Sequence, residues 1–269
     1  MTDDNDLLYD DVDWQPLDPS EHDAREFLRK FFESHNDEVF FSRQIEVQNE
    51  ARYFHWITNR AIRDLVDEGI LQSESRNLRS GGSIKLIWNK SYRFYRRSAA
   101  RLVRVVEEYS DPNIGAALGL QGEFIVLEAF ARNQFVMKGR HVREYSGAIW
   151  SQSEHDLDFV FERDSIAYGV EVKNTLGYMD YGEFKTKVSV ATHLGLRPVL
   201  AVRMIPKSWI HELNEIGGYA LIMKYQLYPW SHKDLARKVA KELGLPVDAP
   251  RALEDGTMAK FLRWHGKQV

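Results

Sequence analysis

The segment LDFVFERDSIAYGVEVK, residues 157–173, constrains the fold of this 269-residue chain more than any other. Two apolar runs flank a polar break. Both are short and rich in β-branched and aromatic residues. They predict a strand from Leu157 to Glu162, a turn at Arg163–Ser165 and a return strand from Ile166. Side chains alternate along a strand, so Val170 and Val172 point one way and Glu171 and Lys173 the other. An acid and a base in a buried-type strand are costly unless they are paired or used. An isolated E-x-K triplet is more often just a strand with one wet face. The preceding strand changes that balance, because an antiparallel return brings Asp158 level with the end that carries Glu171 and Lys173. Two carboxylates and an ammonium gathered there can hold a divalent cation through oxygen and act on water beside it.

An upstream helix supplies a further acid. In GLQGEFIVLEAFARNQF (119–135), Glu123 shares a helical line with Leu120, Leu127 and Phe130. Glu128 competes, since it lies beside Phe124, Ala131 and Phe135. Its mid-helix place suits a pairing or rim role, so Glu123 is preferred. Downstream, FKTKVSVATHLG (184–195) reads as a helix and RPVLAVRMIP (197–206) as an apolar strand. Other chemistries find little support. There are no cysteines, which excludes a disulfide framework, a Cys-based zinc site and a Cys nucleophile, and suits a reducing cytosol. His141, His155 and His193 lack metal-ligand spacing. Gly217 and Gly218 read as a turn into a strand rather than a phosphate loop.

The net charge of −4 conceals two opposed parts. Residues 1–23 hold nine acids and no Lys or Arg, and residues 1–20 are expected to form a disordered acidic tail. The rest of the chain has 36 basic against 31 acidic residues. Between Glu74 and Glu107 there is no acid but nine bases: Arg76, Arg79, Lys85, Lys90, Arg93, Arg96, Arg97, Arg101 and Arg104. Such a stretch is a footprint for phosphates, or in the plainer reading a solvated basic face.

The order of elements around this stretch is informative. Helical spacing marks 21–35, a short apolar run ends at Phe41, and Ser42 is placed to cap a second helix. A third helix follows from about Tyr53 to Glu68, with Gly69 as its stop. A hairpin then turns at Gly81-Gly82. Residues 21–90 resemble a winged helix on this order, with ITNRAIRDLVDEGIL (57–71) standing as recognition helix and the basic hairpin as wing. The resemblance implies groove contacts from Thr58, Asn59, Arg60 and Arg63, and wing contacts from Arg76, Arg79 and Lys85. A winged helix used for protein contact is the alternative. Residues 91–111 read as a basic linker helix that adds Arg93, Arg96 and Arg97 to the nucleic-acid surface, and residues 231–269 as a helical extension.

The motifs between about 115 and 205 resemble the PD-(D/E)XK nuclease superfamily, nearest in look to Holliday-junction resolvases and Mrr-type restriction enzymes. They are Gly119 with Glu123, Asp158 leading an apolar strand, and Glu171-Val172-Lys173. No proline precedes Asp158, and Asp156 competes with it. The resemblance implies an α/β restriction-endonuclease-like domain over 112–230, with a mixed sheet flanked by helices. It further implies Mg²⁺ or Mn²⁺ held by Asp158, Glu171, the Val172 carbonyl and Glu123. Lys173 would act on the attacking water, and Lys185 and Lys187 would steer the DNA strand. The expected activity is metal-dependent hydrolysis of duplex or branched DNA, for which a two-fold dimer would suit double-strand cutting. The alternatives are a DNA-binding regulator built on a nuclease-like fold and an RNA-directed enzyme.

Overall fold

The computed structural model describes residues 19–269. Of the acidic tail, residues 1–18 lie outside the described residues, while Pro19 and Ser20 open the first helix. The chain forms two compact units. One comprises the residues up to Pro112 together with 238–245, and the other 113–237 together with 246–269.

The first unit starts with α1 (Pro19–Ser34), β1 (Val39–Phe41), α2 (Ser42–Asn49) and α3 (His55–Asp67). It continues with β2 (Leu71–Asn77), β3 (Ser83–Asn89) and α4 (Tyr95–Tyr109). Helical spacing puts Ala24, Leu28 and Phe32 on one side of α1, and all three are fully buried against Ile57, Ala61, Ile62 and Leu65 of α3. The three strands pair antiparallel in the order β1-β3-β2. Gly81 and Gly82 hold φ of +94° and +76° at the tip of the β2–β3 hairpin, a conformation that favours glycine. Ser42 is the first residue of α2 rather than its cap; the Gln44 side chain accepts from the Phe41 N–H at 3.3 Å instead. Helix α4 begins four residues later than the linker helix expected from residue 91, and Ser91 folds back on the Asn89 side chain through bonds of 3.0 and 2.7 Å.

The second unit is built on a mixed five-stranded sheet. Its elements are α5 (Pro112–Arg132), β4 (Val136–Val142), the small hairpin β5 (Glu144–Tyr145) and β6 (Ala148–Ile149), β7 (Leu157–Arg163) and β8 (Ile166–Lys173). Then come α6 (Tyr181–His193), β9 (Arg197–Val202), α7 (Lys207–Glu215), β10 (Tyr219–Ile222), β11 (Gln226–Leu227), α8 (Lys233–Leu243), β12 (Val247–Asp248) and α9 (Asp255–His265). The sheet runs β10-β9-β8-β7-β4. Helices α6 and α7 are the crossovers of the parallel strands β8, β9 and β10, whereas β7 is antiparallel to both its neighbours. The β7–β8 turn is two residues long, with Asp164 and Ser165 both at positive φ, the geometry a tight hairpin requires.

Apolar alternation gives the sheet two covered faces. Phe159, Phe161, Tyr168, Val170, Val199 and Ala201 meet α5 and α9 on one side. On the other side Val160 meets Val190 and Ala191 of α6, and Leu200 and Val202 meet Phe184 and Leu213. Helix α5 has the length and hydropathy of a membrane span. It nevertheless carries Glu123 and Glu128, and Ile125, Val126, Ala129 and Phe130 are buried in the core. The C-terminal segment is divided, in contrast to the single extension its sequence implies. The second half of α8 belongs with the first unit, where the Leu243 carbonyl accepts from the Gln44 and Gln48 side chains at 3.1 and 2.9 Å. Helix α9 instead returns to the sheet, where His265 bridges the Tyr168 hydroxyl (2.6 Å) and Asp164 (2.9 Å).

Asn174, just past β8, ties three parts of the second unit together. Its amide donates to the carbonyls of Leu118 and Leu227 at 2.8 and 2.7 Å and accepts from the Leu227 N–H at 2.7 Å. Asn174→Ala leaves those buried groups unmet and should cost about 2–4 kcal/mol. Urea unfolding should show this as a lower midpoint at unchanged slope; an unmoved midpoint would contradict the assignment.

Candidate functional site

The ladder between β7 and β8 runs from Arg163↔Ile166 to Phe159↔Val170 and stops there. On its other side β8 stays paired with β9 as far as Lys173↔Val202. The strands thus part at the end of β8, and a side chain fills the gap: Asp158 Oδ2 accepts from the Val172 N–H at 2.7 Å. Burial pushes the Asp158 carboxyl up from its ordinary range. The Val172 amide and Lys187 offset this in part, and Glu123 and Asp156 add to it. Glu171 is 5% exposed. Burial first, and the nearby Asp158 second, push its carboxyl from 4.5 up to about 8, against the pull of Lys187.

Two lysines approach this carboxylate pair from α6. Lys187 is buried, with Nζ 2.8 Å from Glu171 Oε2 and 3.6 Å from Asp156 Oδ1, and it donates to the Asp156 carbonyl at 2.7 Å. Burial pulls its ammonium down, but Glu171, Asp158 and Asp156 outweigh burial and raise it. Lys173 reaches the other way and lies 2.7 Å from Glu183 Oε1 in the first turn of α6. That turn is held by Asp180, whose Oδ1 accepts from the Glu183 N–H at 3.1 Å.

Of the expected set, Asp158 and Glu171 meet, and Glu123 lies close enough to raise the Asp158 carboxyl. Glu123 is held by Arg140 of β4 at 2.6 Å. Glu128 turns away and pairs with Arg132 along α5 at 2.6 Å. Asp156 remains beside Lys187 and lies 3.5 Å from His141. Helix α5 passes close over this end of the sheet at Gly122, where a Cβ would come within 2.6 Å of Asn174 Cβ and 3.3 Å of a Val172 methyl. Among the described residues, no group of three or more His, Asp or Glu is placed to hold a metal ion.

The cation on Glu171 is Lys187, not Lys173, and this corrects the expectation that Lys187 faces the DNA strand. A signal for it was available. Lys187 falls on the inward stripe of α6 with Phe184, Val188 and Ala191, where a lone lysine needs an anion. Sequence reasoning also gave Glu183 no partner. Lys185 stays at the surface, paired with Glu212.

The expected nucleic-acid contacts are distributed unevenly. Thr58 is fully buried in the first unit's core and cannot reach a groove, because the helix turns it inward beside Ile57 and Ala61. Arg60 lies 2.5 Å from Glu21, while Asn59 is half-buried and Arg63 exposed. On the hairpin, Arg76 pairs with Glu74 at 2.6 Å, Arg79 lies 3.7 Å from Glu107, and Lys85 is exposed. Arg93, Arg96 and Arg97 are all exposed at the start of α4.

A carboxyl whose folded value is raised contributes stability that is present below its unfolded value and lost as pH climbs through the folded one. For Glu171 the window runs from 4.5 to about 8. Glu171→Gln removes this titration and also the counterion of the buried Lys187, so a fixed cost is expected from the unpaired lysine, while the melting temperature of the variant relative to the wild type should rise steadily from the acid to the alkaline end of that window. Thermal melts across that pH range in the presence of a chelator test this, and a difference between variant and wild type that stays constant or moves the other way with rising pH would contradict it.

No family model matches the chain, and no curated protein matches it. Among solved structures, the chain is similar to the crystal structure of protein VC1899 from Vibrio cholerae, with a TM-score of 0.23 and 12% identity. The likeness covers 86% of this chain and 52% of that one, so the chain spans about half its length. A likeness at that level carries no argument about fold or function.

Proposed function

We propose that this chain is a metal-dependent DNA endonuclease, with a restriction-endonuclease-like core in the second unit and a winged helix in the first. The observation that carries the reading is the buried Glu171 beside the half-buried Asp158 at the parting of β7 and β8. A chain that needed only a stable sheet would place apolar side chains there, since buried carboxylates are costly. Glu171 Oε2 is buried and has no hydrogen-bond partner beyond its ion contact with Lys187. Hard oxygen donors with raised affinity for protons suit Mg²⁺ or Mn²⁺. Asp158 and Glu171 would hold such an ion, with Glu123 beside them, and the ion would supply Lewis acidity at the scissile phosphate.

The chain's own residues do the rest. Asp158 holds the end of β8 in register through the Val172 amide. Lys173, half-buried at the strand end and tied to Glu183, would have to leave Glu183 to orient the attacking water and to steady charge on the phosphate, the role this reading gives it. Lys187 joins Glu171 to Asp156. In the first unit, the order α1-β1-α2-α3-β2-β3, with β1 joining the hairpin as a third strand, supports the winged-helix reading. The exposed bases at its hairpin and at the start of α4 suit phosphate contacts.

One observation favours a second reading. Lys187 already supplies positive charge to Glu171, as a metal would, which fits a DNA-binding regulator that keeps a nuclease-like fold without catalysis. Cleavage assays separate the two. The nuclease should cut DNA only with Mg²⁺ or Mn²⁺, and Lys173→Ala should slow cutting by about 10²–10⁴-fold while binding persists. Binding without cleavage of duplex, branched or single-stranded DNA would favour the regulator.

A further inference from the structure

Phe94 is 83% exposed, the largest exposure of any large apolar side chain among the described residues. It sits immediately before α4 in the segment Tyr92–Ser98, which lines a shallow cleft. Isolated exposed apolar residues are ordinary. This one differs in its neighbours and in how firmly it is held. Tyr95, the first residue of α4, stacks on the buried Trp88 of β3 with centroids 4.1 Å apart and planes 10° apart. The Tyr92 hydroxyl bonds the Ser98 hydroxyl at 2.8 Å across the turn. The ring of Phe94 is therefore presented from a fixed platform rather than from a loose loop.

Arg93, Arg96 and Arg97 line the same cleft, all exposed, and among the described residues none of the three is paired with a carboxylate. The residues that line this cleft include three arginines and no acid, so the charge along its lining is of one sign. An apolar protein partner would have to bury or neutralise these guanidinium groups. A nucleic-acid strand satisfies both features, its phosphates meeting the arginines and a base face covering the ring. In a duplex the base faces are occupied by stacking on one another, so a ring that stacks needs an unpaired base.

We propose that Phe94, with Arg93, Arg96 and Arg97, forms a stacking site for an unpaired base in single-stranded or frayed DNA. The inference rests on the nucleic-acid reading above and names the substrate class: DNA with an exposed strand rather than a fully paired duplex. It is independent of catalysis, because stacking and phosphate contact need no chemistry at the carboxylates.

Fluorescence anisotropy with the full chain and a chelator tests it, using a labelled single-stranded thymidine oligomer and a blunt duplex of equal length. Phe94→Ala should weaken single-strand binding about tenfold and leave duplex binding unchanged, and Phe94→Trp should restore it. Arg96→Glu with Arg97→Glu should weaken single-strand binding and flatten its salt dependence. The substitutions are at exposed positions, so an unchanged melting curve should accompany each. Equal losses on both DNAs, or no loss from Phe94→Ala, would overturn the stacking site. Wild-type protein that binds neither DNA would remove the nucleic-acid reading with it. Phe94-dependent binding in a protein that never cleaves would leave this inference standing and sink only the endonuclease.

Discussion

A buried carboxylate, Glu171, beside the half-buried Asp158 makes the end of β8 the most demanding place in the second unit. In a poorly solvated setting Asp158 raises the proton affinity of Glu171, while Glu123 and Asp156 raise that of Asp158. The surrounding structure answers that problem in three ways. A backbone amide is freed by ending the β7–β8 ladder early, so Asp158 has a donor. A lysine is brought in on the buried stripe of α6, so Glu171 has a counterion. A glycine in α5 lets the helix come close above Asn174, which locks the strand end to two neighbouring backbones. Removing one partner of such an arrangement leaves an uncompensated buried charge, which is why its members depend on one another.

The sequence was legible where one physical signal dominates. The β7–β8 hairpin was readable because two short β-branched runs surround a polar break, and the crossover through α6 to β9 because periodicity changes from helical to extended. The meeting of Asp158 with Glu171 followed from antiparallel return alone. The partner of each charge was less accessible. Lys173 and Lys187 lie on different elements, and which one meets Glu171 depends on the rotation of α6 over the sheet. That rotation was recoverable in part, since Lys187 shares a stripe with Phe184 and Ala191. Thr58 shows the opposite error. A family pattern placed it on a groove-facing surface, whereas the apolar stripe of its own helix buries it. The divided path of the C-terminal segment was hidden for a different reason: a strongly amphipathic helix such as α8 announces that one face is buried but not against what.

The two units carry different kinds of charge. The second gathers carboxylates and lysines into mutually compensating pairs under partial burial. The first leaves several bases open at the start of α4, beside an exposed ring. Compensated buried charge serves a local, geometric task, whereas open charge of one sign acts at long range and depends on salt. A chain that binds a polyanion with one unit and acts on it with the other would need this division.

Uptake of Mn²⁺ by the full chain, read as loss of the free-ion signal in electron paramagnetic resonance, bears most directly on what Asp158 and Glu171 are for. Saturable uptake by the wild type that Asp158→Asn removes is the result expected of a metal-dependent site at the parted strands. An absence of uptake, or uptake that survives that substitution, would contradict it.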